Sequence, residues 1–448
     1  MHARPASETD QQYRALRPRL LMCMVIGYAA FYLTRKSVNY VLPALQTDLG
    51  LDKGDIGLLG SLFYLTYGLS KFTAGLWHDS YGLSKFAAGL WHDAHGQRSF
   101  MGIGLFATGV LNVLFAFGES LTLLLVVWTL NGFFQGWGWP PCARLLTHWY
   151  SRNERGFWWG CWNMSINIGG AVIPLISAFA AHWWGWQAAM LAPGIISMAL
   201  GIWLTLQLKG TPREEGLPTV GEWRHDPLEL RQEQQSPPMG LWQMLRTTML
   251  KNPMIWLLGV SYVLVYLIRI ALNDWGNIWL TESHGVNLLS ANATVMLFEV
   301  GGLLGALFAG WGSDLLFSGQ RAPMILLFTL GLMVSVAALW LAPVHHYALL
   351  AMCFFTVGFF VFGPQMLIGL AAVECGHKAA AGSITGFLGL FAYLGAALAG
   401  WPLSLVIEHY GWAGMFSLLS VAAVFMGLLL MPLLIAGITP SLSQRIKQ

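Results

Sequence analysis

Charge is what this chain has least of. Asp, Glu, Lys and Arg make up 10% of its 448 residues, against about 25% in a soluble globular domain. With 56% hydrophobic residues and long uncharged runs, that shortage excludes a soluble fold and places the chain among membrane proteins. Cysteine is also scarce. Cys23, Cys142, Cys161, Cys353 and Cys375 lie in or beside apolar segments, without metal-ligand or disulfide spacing. They read as small buried hydrophobes, and no metal is expected. The net charge of +3 is small and its basic residues are scattered, so no nucleic-acid partner is expected. No nucleotide loop or nucleophile–base pair stands out, so the chain reads as neither an enzyme nor a cofactor binder. Residues 1–19 are polar and lack a cleavable-signal pattern, leaving the first membrane helix as its own targeting signal.

What the chain has is apolar length and tryptophan. The 22 Trp suit a protein with much lipid–water interface. Twelve hydrophobic segments are long enough to span, at about 20 residues each: 20–45, 56–77, 100–118, 120–145, 157–183, 186–208, 253–280, 289–317, 323–343, 346–373, 379–406 and 411–436. The longest polar stretch, 209–252, carries Glu214, Glu215, Arg224, Asp226, Glu229, Arg231 and Pro237-Pro238. It reads as a linker between an N-terminal six-helix half, 20–208, and a C-terminal half, 253–436, with tails at 1–19 and 437–448.

Orientation follows from Lys and Arg in the short loops. Arg4, Arg14, Arg17, Arg19, Arg98, Arg152, Arg155, Lys209, Arg213, Arg224, Arg231, Arg321, Arg445 and Lys447 all fall on one side. The opposite loops carry Lys53 and no Arg. Both termini and the linker are predicted to be cytoplasmic, in a multi-pass membrane protein.

Two arginines interrupt otherwise apolar segments: Arg35 in segment one and Arg269 in segment seven. A charge at bilayer depth costs about 2.5–3.5 kcal/mol even on insertion scales, so each must face a cavity or a partner. Tyr28 and Tyr32 precede Arg35 at helical spacing, as Tyr262 and Tyr266 precede Arg269. Each set shares a helix face. A phenol face ending in a guanidinium fork suits a phosphate or a carboxylate. Lys36, next to Arg35, points about 100° away. We assign Lys36, Asp274 and Glu299 to an internal charge network, leaving the arginines to a ligand. Lys71 is a third possible cation, with a twin at Lys85.

That twin belongs to a duplication. Residues 67–80 and 81–94 differ only at Thr73/Ala87 and Ser80/Ala94. Arg35 to Arg269 is 234 residues and Asp79 to Asp314 is 235, but Asp93 to Asp314 is 221. One 14-residue copy is therefore surplus in the N-terminal half. As continuous helix, 56–91 would reach about 54 Å, against a hydrocarbon core of about 30 Å, so one copy must protrude or loop out.

Gly89-Leu-Trp-His-Asp93 followed by Arg98, and Gly310-Trp-Gly-Ser-Asp314 followed by Arg321, resemble the loop signature of the major facilitator superfamily. The resemblance implies an all-α integral membrane fold of twelve transmembrane helices, in two pseudo-symmetric halves around a midplane site. Gln135-Gly-Trp-Gly-Trp-Pro-Pro-Cys-Ala-Arg144, His148-Trp-Tyr-Ser-Arg-Asn-Glu-Arg-Gly156, Trp162-Asn163, Asn167 and Gly169-Gly170, together with the tyrosine–arginine segments, resemble the organophosphate:phosphate antiporter family within it. That family includes transporters of glycerol 3-phosphate and hexose 6-phosphate and a sensor branch. The resemblance implies that Arg35 and Arg269 hold phosphate, with Tyr28, Tyr32, Lys71, Tyr266 and Tyr393 nearby. Asn163 and Asn167 complete the candidate ligand set.

The chain departs from the family at Ile166, where the pattern Trp-Asn-x-x-His-Asn-x-Gly-Gly has a phosphate-contacting histidine. Isoleucine neither donates a hydrogen bond nor titrates. Gly221-Glu-Trp-Arg-His-Asp226 and Asn273-Asp-Trp-Gly-Asn277 look like the sensor branch. Ala396 and Ala399 stand where the hexose-phosphate transporter carries an Asp and a Lys. The resemblance therefore implies a sensor of external hexose phosphate, such as glucose 6-phosphate, that regulates a sugar-phosphate uptake system through a partner membrane histidine kinase. The alternative is a sugar-phosphate/inorganic phosphate antiporter. A third reading, a facilitator for neutral sugars, would leave Arg35 dispensable.

Overall fold

The structure is a computed structural model that describes residues 6–79, 96–227, 230, 250–317, 320–343, 346–375 and 381–445. The second copy of the duplication, 81–94, lies outside them. The N-terminal half holds α1 (Ala6–Lys36), α2 (Leu42–Leu49), α3 (Lys53–Asp79), α4 (Gly96–Ala116), α5 (Leu121–Gln135), α6 (Trp139–Trp149) and α7 (Arg152–Gln207). The short α8 (Val220–Arg224) follows in the linker. The C-terminal half holds α9 (Pro253–His284), α10 (Leu288–Phe317), α11 (Arg321–Trp340), α12 (Tyr347–Glu374), α13 (Ala381–Leu398) and α14 (Trp401–Arg445).

Several of these helices are long and apolar enough to cross a membrane, among them Pro253–His284, with a mean hydropathy of 2.1. Two span twice. Helix α7 breaks at Gly185, with φ 82°, and α14 at Gly411, with φ 64°. These positive φ values favour glycine because a Cβ would be strained there. The two breaks fall at matching places, before the last crossing of each half. They show the pseudo-symmetry in the backbone itself. Side chains such as Leu175, Phe179, Val334 and Leu428 are exposed, as lipid-facing residues must be.

Two segments differ from a continuous helix. Segment one ends as α1 at Lys36, passes a 3-10 turn at Ser37–Tyr40 and resumes as α2. Pro43, at the start of α2, has no N–H to join a preceding turn. Segment four breaks between α5 and α6, where Gly136 and Gly138 precede Pro140-Pro141. In addition, α1 begins at Ala6, so much of the polar tail is helical.

The halves meet along α3 with α13 and α7 with α10. Glycine makes the closest approach possible. A Cβ on Gly400 would lie 2.6 Å from the Gly57 carbonyl oxygen, and one on Gly57 would lie 2.9 Å from Trp401 Cα. At the end opposite the termini, Lys53 Nζ pairs with Glu282 Oε2 at 2.9 Å. Trp412 Nε1 donates to the same oxygen at 3.2 Å. Three elements from two halves thus close that end.

At the tail end, the first part of the linker is packed onto the N-terminal half. Tyr13 donates to the Pro218 carbonyl at 2.6 Å and stacks on Trp223 at 4.1 Å. Trp149 Nε1 donates to the Gly210 carbonyl at 2.8 Å. Arg17 pairs with Glu154 at 2.6 Å and lies over Tyr150, 4.3 Å from its centroid. Burial alone pushes the Glu154 carboxyl up, but Arg17, the Ser151 amide and Arg224 together hold it below the usual carboxylate range.

Candidate ligand-binding site

Arg35 sits in the last turn of α1, and two hydrogen bonds fix its fork. Nε donates to Gln135 Oε1 at 3.1 Å and Nη2 donates to the Tyr67 hydroxyl at 2.6 Å. The guanidinium carbon lies over Tyr32 at 4.2 Å, Tyr67 at 4.6 Å and Tyr28 at 5.6 Å. All are within the roughly 6 Å range of cation–π attraction. Electron-rich ring faces partly offset the loss of water around the cation without neutralising it. With two of its five N–H groups engaged, Arg35 keeps donors for an anion.

Arg269 is equally buried, at 3% exposure. Its guanidinium carbon lies 4.3 Å from the Phe362 ring centroid and 5.8 Å from that of Tyr266. Its Nε has no hydrogen-bond partner among the described residues. Tyr32, from the other half, reaches it, so one phenol serves both arginines. Tyr393 of α13 joins the walls, with its ring 4.0 Å from Tyr67 and 5.7 Å from Tyr266. Lys71 Nζ stands 4.4 Å from the Trp139 ring and 5.6 Å from that of Tyr393. Among the described residues no carboxylate pairs with Arg35, Arg269 or Lys71.

The buried Glu299 and the part-buried Asp274 are engaged elsewhere. Lys36 Nζ pairs with Asp274 Oδ1 at 2.6 Å and donates to Asn273 Oδ1 at 2.5 Å. Asp274 also accepts from Asn39 and from Tyr64, each at 2.7 Å. Glu299 accepts from Asn273 at 3.0 Å and from Asn167 at 3.3 Å. Lys36, Asp274 and Glu299 are thus joined through Asn273, and the chain of bonds crosses between the halves. A cavity of about 30 Å³ beside it, lined in part by Arg35, Asn39, Tyr64 and Asp274, has room for about two waters.

The structure therefore brings Tyr28, Tyr32, Arg35, Lys71, Tyr266, Arg269 and Tyr393 to one chamber. Asn167 instead turns to Glu299, donating to its carbonyl at 3.0 Å as well as to its side chain. Asn163 is buried one residue beyond Trp162, whose ring packs on Tyr28 at 5.2 Å. Ile166 is buried on the same face of α7, between Trp162 and Gly169. A Cβ on Gly169 would lie 2.5 Å from Tyr32 Cβ, so this face covers the phenol face of α1. Of the loop signatures, Gly89 and Asp93 lie outside the described residues, as do the side chains of Arg98 and Asp314. Beyond Gly310, Arg321 donates to Ser313 Oγ at 2.5 Å.

Reading the sequence alone misses Tyr67 and Gln135, the two residues that orient Arg35. The spacing held a signal for Tyr67, which lies four residues before Lys71 on α3 and so shares its face. Tyr67 and Lys71 both belong to the first copy of the duplication.

Twelve crossings in two matched halves, around a buried cluster of tyrosines with three cations, define a carrier-type membrane protein. The Major Facilitator Superfamily model matches residues 24–400. The Membrane sensor protein UhpC of Escherichia coli K12 is 52% identical over 95% of this chain and 94% of its own length. A Probable hexose phosphate transport protein of Chlamydia trachomatis is 42% identical, over 94% and 92%. The Glycerol-3-phosphate transporter of Bacillus subtilis is 32% identical, over 92% and 91%. Among solved structures, an inward-facing, unoccupied bacterial homologue of the human lysosomal transporter Spinster matches with a TM-score of 0.63 over 95% of both chains, at 17% identity, a likeness of fold alone. The chain belongs to the organophosphate:phosphate antiporter family of the major facilitator superfamily.

Proposed function

We propose that this protein is a sensor of external hexose phosphate in the bacterial inner membrane, with its tails and linker in the cytoplasm. One observation carries the reading. Arg35 and Arg269 come from equivalent positions of the two halves to one aromatic chamber, while Asp274 and Glu299 are bonded to other groups. A sugar phosphate placed there would satisfy both guanidinium forks, and Lys71 would supply a third positive charge. Binding between the halves shifts their equilibrium by the ligand's differential affinity for the two states. A partner histidine kinase would read that shift at the cytoplasmic face, where the linker is packed on the N-terminal half.

Three features favour sensing over exchange. Ile166 removes a hydrogen-bond donor and titrating group from the face that covers Tyr28 and Tyr32. Ala396 and Ala399 are buried and uncharged, where the related transporter carries a charge pair. The likeness to a membrane sensor extends over nearly the whole chain. A second reading, exchange of sugar phosphate for inorganic phosphate, draws support from the closure opposite the termini. Lys53–Glu282 is a single partly exposed pair, of a kind worth only about 0–1 kcal/mol, and a carrier could break it in each cycle.

Vesicles loaded with inorganic phosphate and offered labelled glucose 6-phosphate separate the two. The sensor reading predicts binding without brisk counterflow, together with loss of sugar-phosphate induction when the gene is deleted. Exchange at transporter rates would reject a pure sensor.

A further inference from the structure

The arginines account for a phosphate but not for a sugar. Gln365, on α12, has a feature that does. Its side chain is buried at 6% exposure. Its amide oxygen accepts no hydrogen bond among the described residues. Its main chain is fixed, because the Tyr262 hydroxyl donates to the Gln365 carbonyl at 2.8 Å. Phe362, three residues earlier on the same helix face, is the ring that carries Arg269 at 4.3 Å. Tyr262 in turn packs on Tyr266, with centroids 5.1 Å apart. Gln365 therefore stands one turn from the Arg269 platform, on the wall contributed by the C-terminal half.

Buried amide oxygens are nearly always paired, and an unpaired one needs an explanation. Leu367 and Ile368, just beyond it on α12, are fully buried and apolar, so packing alone does not call for an amide there. Arg269, packed on the Phe362 ring one turn earlier on α12, has an equally unpaired donor in Nε. An open donor held on Phe362 and an open acceptor one helical turn along from that ring match a ligand with a phosphate at one end and hydroxyls beyond it. We infer that Gln365 is the sugar-reading residue of the site, its amide oxygen accepting a hydrogen bond from a hydroxyl of a phosphorylated polyol. This rests on the hexose-phosphate reading above and adds which residue distinguishes the sugar ester from free phosphate.

The test uses full-length protein in lipid nanodiscs, titrated calorimetrically with inorganic phosphate, glucose 6-phosphate and a series of monodeoxy glucose 6-phosphates. Wild type is compared with Gln365→Leu and with the length-matched Gln365→Met. Loss of one neutral hydrogen bond predicts glucose 6-phosphate binding about tenfold weaker in either variant. Inorganic phosphate should bind them as it binds wild type. One deoxy sugar should cost wild type the same factor and cost the variants nothing further, a pattern that a packing defect does not produce. A wild type that prefers glucose 6-phosphate, with variants that keep that preference, overturns the assignment to Gln365 alone. Equal weakening of both ligands in the variants also overturns it, and so does a wild type indifferent to every deoxy position. A wild type that binds glucose 6-phosphate no better than phosphate overturns the sugar reading and Gln365 with it.

Discussion

Lys36 Nζ lies 2.6 Å from Asp274 Oδ1, across the boundary between the two halves. It is one residue from Arg35, whose fork points instead to Tyr67 and Gln135. Successive helical residues diverge by about 100°, and here that divergence separates two jobs. Lys36 answers the buried carboxylate, so Arg35 remains available to an anion.

The pair predicts an asymmetric double-mutant result. Removing Lys36 alone leaves Asp274, only 16% exposed, without its cation, a loss of up to about 3–5 kcal/mol. Lys36→Ala should lower the melting temperature in detergent markedly. Lys36→Ala combined with Asp274→Asn should recover a good part of it, because the uncompensated charge has gone. Additive losses in the double variant would show that the two side chains act independently.

Ile166 predicts a gain of function. On the face that covers Tyr28 and Tyr32, Ile166→His would introduce a donor that becomes a cation below about pH 6.5. Inorganic phosphate should then bind several-fold more tightly at pH 6 than at pH 8, beyond any change seen in the wild type over that range. Titration of both proteins at the two pH values checks this, and parallel curves count against a phosphate near Ile166.

The duplication predicts tolerance. The first copy supplies Tyr67 and Lys71 to the chamber, so the second is not needed for it. Deleting residues 81–94 should leave membrane insertion and sugar-phosphate binding intact or improved. Membrane-fraction yield and ligand titration measure both, and loss of inserted protein on deletion refutes the inference.

The staple of the linker onto the N-terminal half predicts an acid transition. The Glu154 carboxyl is held below its usual range by Arg17 and its neighbours against the opposing effect of burial. A depressed folded-state value contributes stability that is fully present above the unfolded value, about pH 4.3, and is lost as pH falls through the folded one. Packing of Trp223 on Tyr13 should hold at neutral pH and loosen only below that range. Emission from Trp223, compared between wild type and Trp223→Phe, follows it. Glu154→Gln should loosen the contact at neutral pH and flatten the acid transition.

The sequence made much of this legible, for physical reasons that can be named. Arg35, Arg269 and their tyrosines stood out because charge is rare in apolar runs and because helical spacing puts the set on one face. The same angular argument turned Lys36 away from Arg35 and towards a network with Asp274 and Glu299, without fixing which carboxylate it would meet. The break of segment four was written in Gly136, Gly138 and Pro140-Pro141, but mean hydropathy runs straight through it. Spacing put Tyr67 on the face of Lys71, but neither it nor Gln135 carries a sign in the sequence that it will orient Arg35. Their role depends on which helices become neighbours, and that is a tertiary fact. Asn167 shows the reverse, since its place in a phosphate-binding motif gave no hint that it would turn to Glu299.

The most direct test of the anion clamp is calorimetric titration of the purified full-length protein with glucose 6-phosphate and with glucose, in wild type, Arg35→Ala and Arg269→Ala. Binding of glucose 6-phosphate but not glucose by the wild type, abolished in either variant that still folds, is the predicted result. Glucose bound as well as its phosphate, or binding that survives the loss of either arginine, would contradict the account.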